Sequence, residues 1–252
     1  MKTVNQWVSE DIKIIDEKIK EKGWGVMSYD LFPRERFTPI FLNKRKFTTP
    51  IDGTIIYQKI IYNVNDKIID IKGQPYSLID LYQDEEKEFL SEKYLVVGIF
   101  LTVYDVHTVR MPSSGYVTSY DLPCLLSNNL PMIGLEYDIL KNQRINFDNL
   151  NYLYHNERKV MNIYDPYFDF DYDMVLISDR VVNTIFTYGD NCIAHQGCPI
   201  AKILYGSQVE LIIPLNDELY EIKSLIPDDG ELYHVQGGVD KILEFKIKNG
   251  KF

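Results

Sequence analysis

The spacing of apolar residues changes once along the chain, near Pro50. Before it, between residues 9 and 22, Ile12, Ile15 and Ile19 share one face of a predicted amphipathic helix. Ser9 reads as the N-cap, Glu10 and Asp11 suit the positive helix start, and Lys20 and Lys22 precede a stop at Gly23. Beyond Pro50 the chain turns to short runs of Ile, Val, Tyr and Phe punctuated by Gly, Pro, Asn and Asp. Thr54 to Tyr62 and Tyr94 to Val103 are the clearest of these, and they predict strands. Only Tyr76 to Leu90 offers a second helical stretch, with Ser77 at its cap. The pattern predicts a mainly β (α+β) chain: a β-sandwich or barrel-like body preceded by an amphipathic helix. No repeat of fixed period appears. The natural division is residues 1–47, helix plus a basic and aromatic segment, and residues 48–252, the β-rich remainder.

Composition narrows the function classes. With 252 residues, 45% of them hydrophobic and 25% charged, the chain can bury a core without disulfide staples. No apolar run approaches the ~18 residues of a membrane-spanning helix, and Met1 to Val8 lacks the marks of a signal peptide, so a cytoplasmic protein is expected. Its three cysteines, Cys124, Cys192 and Cys198, form no even framework, which fits a reducing compartment. A formal charge of −10 opposes long-range attraction to nucleic acid, and no nucleic-acid partner is expected. One local exception lies between residues 34 and 46. There Arg34, Arg36, Lys44, Arg45 and Lys46 face Glu35 alone, interleaved with Phe37 and Phe41 and bracketed by Phe32 and Phe47. Cations beside aromatics suit peripheral contact with lipid headgroups, and they equally suit a solvated linker with a few buried rings.

Four short segments could carry chemistry. Pro50-Ile-Asp-Gly53, taken alone, is a turn. Tyr104-Asp-Val-His107, followed by Arg110-Met-Pro-Ser-Ser-Gly115, places a histidine just after a strand, where it could act as acid, base or donor, or simply pack. Asn156-Glu-Arg158 precedes a strand, and its charged pair could be a surface ion pair worth about 0–1 kcal/mol. Leu204-Tyr-Gly-Ser207 leads into the apolar run Val209 to Ile213, and most Gly-Ser pairs are turns. A fifth group, Cys192, His195 and Cys198, has soft ligands that zinc could use with Cys124 or His155, but its spacing matches no familiar zinc knuckle and no metal is expected. His234 has no partner pattern and reads as surface or packing.

Taken in order, these segments resemble the phosphatidylserine decarboxylase family. That family carries Pro-x-Asp-Gly, then Lys-Gly-x-x-Tyr-Ser, then Asp-Tyr-His-Arg-x-His-x-Pro-x-x-Gly, then Asn-Glu-Arg, then Gly-Ser-Thr or Gly-Ser-Ser. The counterparts here are Pro50 to Gly53, Lys72-Gly-Gln-Pro-Tyr-Ser77, Asp105 to Gly115, Asn156 to Arg158, and Gly206-Ser207-Gln208. The resemblance implies a pyruvoyl-dependent carboxy-lyase that converts phosphatidylserine to phosphatidylethanolamine with release of CO2. Loss of CO2 from an amino acid's α carbon leaves a carbanion, which needs an electron sink that no ordinary side chain provides. In the family, a serine hydroxyl attacks the carbonyl of the preceding glycine. Elimination and hydrolysis then leave a second chain that begins with a pyruvoyl group. Ser207 is the implied precursor of that covalent cofactor, and Gly206–Ser207 the cleavage site between a β chain of residues 1–206 and an α chain of residues 207–252.

By the same resemblance Asp52 takes the place of the acidic member of a Ser/His/Asp self-cleavage group, and His107 that of the histidine associated with decarboxylation. Arg110 and Tyr205 are candidate pocket residues. Three departures reshape this expectation. Arg110 stands where the family has its second histidine, and a guanidinium stays protonated, so it cannot serve as the base for Ser207. The family's glycine-rich strand has its counterpart in Val175 to Ile185, where Ser178 or Asp179 and Asn183 replace glycines, and Gln208 replaces a small hydroxyl residue. Two other readings stay open: a decarboxylase of a soluble amino acid or derivative, and a non-cleaving homologue that binds a lipid headgroup or protein.

Overall fold

The computed structural model describes residues 1–23, 25, 34–38, 43–84, 86–123 and 128–248. Its centre is one antiparallel sheet of nine strands: β1 (Lys2–Thr3), β2 (Gly53–Ile61), β3 (Tyr94–Leu101), β4 (Gly115–Asp121), β5 (Arg158–Asp165), β6 (Phe170–Ser178), β7 (Cys192–Ala194), β8 (Ser207–Pro214) and β9 (Tyr233–Val235). They lie in the order β1-β9-β2-β3-β8-β6-β5-β4-β7. Strands β3, β8 and β6 are buried on both faces, which is why they read as continuous apolar runs rather than as an alternation.

The alternation is nevertheless present, hidden by double burial. Leu95, Val97, Ile99 and Leu101 of β3, with Val209, Leu211 and Ile213 of β8, enter one core; Val96, Phe100 and Ile212 enter the other. The first core packs residues from two three-stranded sheets against the large one. One sheet is Ile185–Thr187, Pro199–Ile203 and Thr108–Arg110; the other is Tyr220–Ser224, Lys241–Ile247 and Lys46–Thr48. The second core takes in the helical segments and the hairpin Ile69–Ile71/Gln74–Tyr76. The protein is thus mainly β and sandwich-like on one side, but its sheets do not close into a barrel.

The N-terminal helix starts earlier than Ser9. Thr3 caps it: its hydroxyl accepts from the Gln6 amide at 3.2 Å while the Gln6 side chain accepts from the Thr3 amide at 3.0 Å. This reciprocal box outcompetes Ser9, which sits inside the helix and donates back to Asn5 O. From there α1 (Val4–Trp7) passes through a π-helical turn (Val8–Ile12) into α2 (Lys13–Lys22). Helix α2 ends where the left-handed Gly23 donates its amide to Ile19 O. Val4, Trp7 and Ile12 are buried in the second core. The expected helix over 76–90 shrinks to α3 (Leu78–Tyr82), with Ser77 and Asp80 forming its capping box and Gln83 in the left-handed region ending it. No helix among the described residues is long and apolar enough to cross a membrane.

A carboxyl sits inside the second core. Glu210 accepts from Tyr57 and from Gln208, Tyr152 donates to Gln208, and the other Glu210 oxygen has no partner among the described residues. Burial pushes Glu210 from an ordinary 4.5 to about 7, and burial pushes the part-buried Glu136 likewise to about 7. Between those values the folded chain holds a proton that the unfolded chain has released, so this contribution to stability is lost as pH rises through about 7. On a Ser207→Ala chain that stays in one piece, Glu210→Gln is therefore expected to raise stability at pH 8 by about 1–3 kcal/mol and to change it little at pH 5. Urea unfolding at the two pH values checks this; an equal effect at both would contradict it.

Candidate active site

Ser207 opens β8, where the chain enters the middle of the large sheet. Its Cα partners are Leu101 of β3 and Ser178 of β6. The Ser207 side chain is fully buried, and its hydroxyl has no hydrogen-bond partner among the described residues. An orphaned buried hydroxyl costs roughly 1–3 kcal/mol, and those of Thr54 and Thr108 share this condition among the described residues. Tyr205, half-exposed, precedes it in the left-handed region at φ 65°. Gly206 lacks a side chain for a spatial reason: a Cβ there would lie 3.0 Å from Asp179 Oδ2 and 3.7 Å from Leu101 O.

His107 is fully buried beside this junction. Its Nδ1 faces Ile203 O at 3.1 Å and its Nε2 faces Thr102 O at 3.1 Å, while Ile203 donates its amide to His107 O. The ring is thus strapped between the end of β3 and the residues that lead to Gly206. Burial pulls its proton affinity below the ordinary histidine value, against the attraction of Asp105. Both facing groups are acceptors, so a neutral ring can satisfy only one of them at a time.

Asp52 and Arg110 belong to a different cluster. The Asp52 carboxylate receives both guanidinium nitrogens of Arg36, at 2.6 and 2.7 Å, and the Gly237 amide at 2.7 Å. Arg110 donates to Gly197 O at 3.0 Å and Arg36 O at 2.7 Å. A carboxylate clamped by a bidentate guanidinium is a poor partner for orienting an imidazole. The glycine of the same motif serves packing: a Cβ on Gly53 would meet Phe100 O at 2.4 Å. The basic segment contributes inward here as well, since Arg34 donates to Tyr104 O and Phe47 is fully buried. Phe37 is exposed, Lys44 lies over the Tyr167 ring, and Phe32 and Phe41 fall outside the described residues.

One sequence expectation is corrected and one open alternative is decided. Glu157 and Arg158 are not a surface ion pair. Arg158 is fully buried and donates to Leu81 O at 2.6 Å, Pro123 O at 3.1 Å and Gln83 Oε1 at 2.8 Å, sealing the end of α3. Glu157 instead accepts from the Ser178 hydroxyl at 3.0 Å and the Asn183 amide at 2.7 Å, and Asn156 donates to Ser178 O at 2.8 Å. The segment therefore fixes Ser178, the strand partner of Ser207. His234, which the sequence left between surface and packing, packs: it is buried, stacks on Trp7 with centroids 3.9 Å apart, and pairs through Nε2 with Asp105 Oδ1 at 2.6 Å. Asp105 Oδ2 accepts from the Thr102 amide and hydroxyl at 2.8 and 2.9 Å. Despite burial, which favours the neutral acid, His234 and Thr102 hold Asp105 below the ordinary aspartate range. The only sequence signal for this pair was the short Asp-x-His spacing, which points at His107 and not at His234, more than a hundred residues away.

Cys192 and Cys198 are free thiols and Cys124 lies outside the described residues; among those described, no three His, Cys, Asp or Glu side chains gather as metal ligands. A pocket lined by Lys44, Ser113, Asp165, Tyr167, His195 and Gln196 holds about 490 Å³, and its lining includes neither Ser207 nor His107.

The buried Gly-Ser junction at a strand start, with a histidine strapped beside it, can be set beside known proteins. A family model described as phosphatidylserine decarboxylase matches residues 26–226. The chain belongs to the phosphatidylserine decarboxylase family. A curated relative, the phosphatidylserine decarboxylase proenzyme of Bacillus mycoides (strain KBAB4), is 31% identical over 131 residues, a match that takes in 49% of this chain and 48% of that protein. The chain therefore spans about half the length of the curated relative it matches.

The Asp105–His234 pair is a buried polar anchor of the turn after β3. Removing one partner leaves the other buried and uncompensated. In a Ser207→Ala chain, Asp105→Ala is expected to cost about 3–5 kcal/mol of unfolding free energy, measured in urea at pH 7. A loss under about 1 kcal/mol would show that the pair is not the anchor.

Proposed function

We propose that this protein is a carboxy-lyase that acts on the serine headgroup of phosphatidylserine with release of CO2, using a pyruvoyl group formed from Ser207. The observation that carries the reading is the Ser207 hydroxyl: buried, without a partner among the described residues, and preceded by Gly206 in the order of segments that the family shows. Membership of the family and the word proenzyme in the relative's name support it.

The residues fit such a group. Cleavage before Ser207 would leave the new terminus at the mouth of β8, between β3 and β6, where Leu101 and Ser178 flank it. When formed, the pyruvoyl carbonyl supplies the electron sink that the side chains lack. The chain's own part is positional. His107 stands against the strand-entry carbonyls of Thr102 and Ile203, and its depressed proton affinity leaves the ring neutral near pH 7 and able to exchange a proton there. Asp105 and His234 hold Thr102, and Thr102 in turn holds His107. The half-exposed Tyr205 borders the junction from the solvent side. Lipid access through the 34–46 segment draws support from exposed Phe37, while its Arg34 and Arg36 are already spent on internal contacts.

A second reading has a specific observation behind it. Asp52 is clamped by Arg36, and Arg110 replaces a histidine, so the protein could instead be a non-cleaving homologue that binds a headgroup or a partner. One experiment separates the two. Intact-mass analysis of the purified chain is expected to show fragments 1–206 and 207–252, the latter labelled by a carbonyl-reactive probe, with Ser207→Ala remaining whole. The cut enzyme should release CO2 from phosphatidylserine vesicles in preference to free serine. A wild-type chain that stays uncut under all conditions would overturn the enzymatic reading, and CO2 release from free serine alone would move the substrate to soluble amino acids.

A further inference from the structure

One ionisable group stands a single peptide unit away from His107. Glu136 lies on α4 (Ile133–Tyr137), part-buried, and its Oε1 accepts the Val103 amide at 3.1 Å. That amide and the Thr102 carbonyl are the two ends of one peptide. The carbonyl end faces His107 Nε2 at 3.1 Å, and it also accepts the Asp105 amide at 3.1 Å. A carboxyl and an imidazole thus sit at opposite ends of the same peptide dipole.

The other side of the ring is built differently. His107 Nδ1 faces Ile203 O at 3.1 Å, and the amide of that peptide, on Leu204, donates to the Thr184 carbonyl at 3.0 Å. Two carbonyls at equal distance therefore compete for the one proton of a neutral ring. Behind one stands a carboxyl; behind the other stands a neutral carbonyl. A carboxylate that accepts an amide hydrogen polarises the peptide and makes its oxygen the stronger acceptor. The charged form of Glu136 thereby favours a proton on Nε2. The Asp105 carboxylate, bound to the Thr102 amide and hydroxyl, attracts the ring proton as well.

We infer that Glu136 is a positioning residue for His107: through the Thr102–Val103 peptide its charge holds the ring proton on Nε2 and keeps the lone pair on Nδ1. What His107 then does rests on the decarboxylase reading above. The basic nitrogen is left turned to Ile203, on the strand that leads to Gly206. A proton taken up there completes a hydrogen bond to Ile203 O, which suits a ring that must receive one. Burial raises Glu136 to about 7; the Val103 amide opposes this, the charges of Asp105 and Asp179 reinforce it, and Tyr104 is a further titratable neighbour. Beside His107 stand Asp105 and Arg34, and burial keeps its proton affinity below the ordinary histidine value. The sign follows from these directions. Above about 7 Glu136 is charged and Nε2–H dominates; just below it the asymmetry between the two carbonyls fades while the ring is still neutral.

Nitrogen NMR of isotopically labelled histidine rings in the uncut Ser207→Ala chain tests this, because the two neutral tautomers and the imidazolium differ in their ring nitrogen shifts. The chain has four histidines, and His107→Gln identifies the signal. At about pH 8 the Nε2–H form is expected to dominate, and its share to fall toward about pH 6.5. Glu136→Gln keeps an acceptor for the Val103 amide without the charge. It should lower the ratio of Nε2–H to Nδ1–H at about pH 8 by at least about fivefold and abolish its pH dependence. The pH titration of the parent chain needs no change at position 136, and it decides the matter if Glu136→Gln does not fold. In the cut enzyme the same substitution should lower kcat on phosphatidylserine vesicles about tenfold with KM little changed. A ratio that stays within about twofold between the two pH values, or is the same in Glu136→Gln, would overturn the inference. A wild-type chain that never cleaves would remove the decarboxylase reading alone, because the ring measurement is made on an uncut chain.

Discussion

The register of β8 between β3 and β6 is the constraint on which the site depends. Because side chains alternate along a strand, sliding β8 by one residue would exchange its core-facing set, Val209, Leu211 and Ile213, with Gln208, Glu210 and Ile212. Burial on both faces makes that slip prohibitive: it would put the carboxyl of Glu210 among Met174, Leu176 and Val97, where nothing like Tyr57 or Gln208 awaits it. The polar cluster in the second core therefore works as a register pin for the strand that begins at Ser207. The junction is located by packing more than ten ångströms of strand beyond it, at roughly 3.4 Å per residue.

Around that fixed strand start, polar groups hold the neighbours. The turn after β3 is pinned by Asp105, which binds Thr102 on one side and His234 on the other. The end of β6 is pinned by Asn129, Asn156 and Glu157. Each buried polar atom in these two pins has a partner, whereas Ser207 does not. Satisfied supports keep their geometry around the unpartnered Ser207 hydroxyl. Trp7 stacked on His234 brings the N-terminal helix into the same support, so the helix does more than cover apolar surface.

Much of this was legible in the order of residues and some was not. The strands Thr54 to Tyr62 and Tyr94 to Val103 were readable because β-branched and aromatic runs between turn residues have few other uses. The helix start was misplaced because Ser9 and Thr3 both offer a hydroxyl, and only Thr3 has Gln6 three residues on. The short motifs could be found but their contacts could not. Asn156-Glu-Arg158 reads as surface charge until the sheet buries it, and the partner of Asp105 comes from β9, far along the chain. Open sheets and a closed barrel share the same local pattern of strands and turns, so closure is decided by long-range pairing that no window of sequence contains.

The exchange of a histidine for Arg110 has a consequence for charge. Beside Asp52 stand the guanidiniums of Arg36 and Arg110, and Arg110 donates to the carbonyls of Gly197 and Arg36 while the charges of Asp52 and Glu35 stabilise it. Such a cluster can brace the backbone near Pro50 and Gly197, but its guanidiniums cannot cycle a proton. At the end of β6, burial raises the proton affinity of Asp179 above the ordinary aspartate range, while the amides of Arg180 and Met132 and the charge of Arg180 favour its anionic form. An arginine in the imidazole's place therefore stiffens the scaffold by its contacts with the Gly197 and Arg36 carbonyls and leaves proton transfer to other groups.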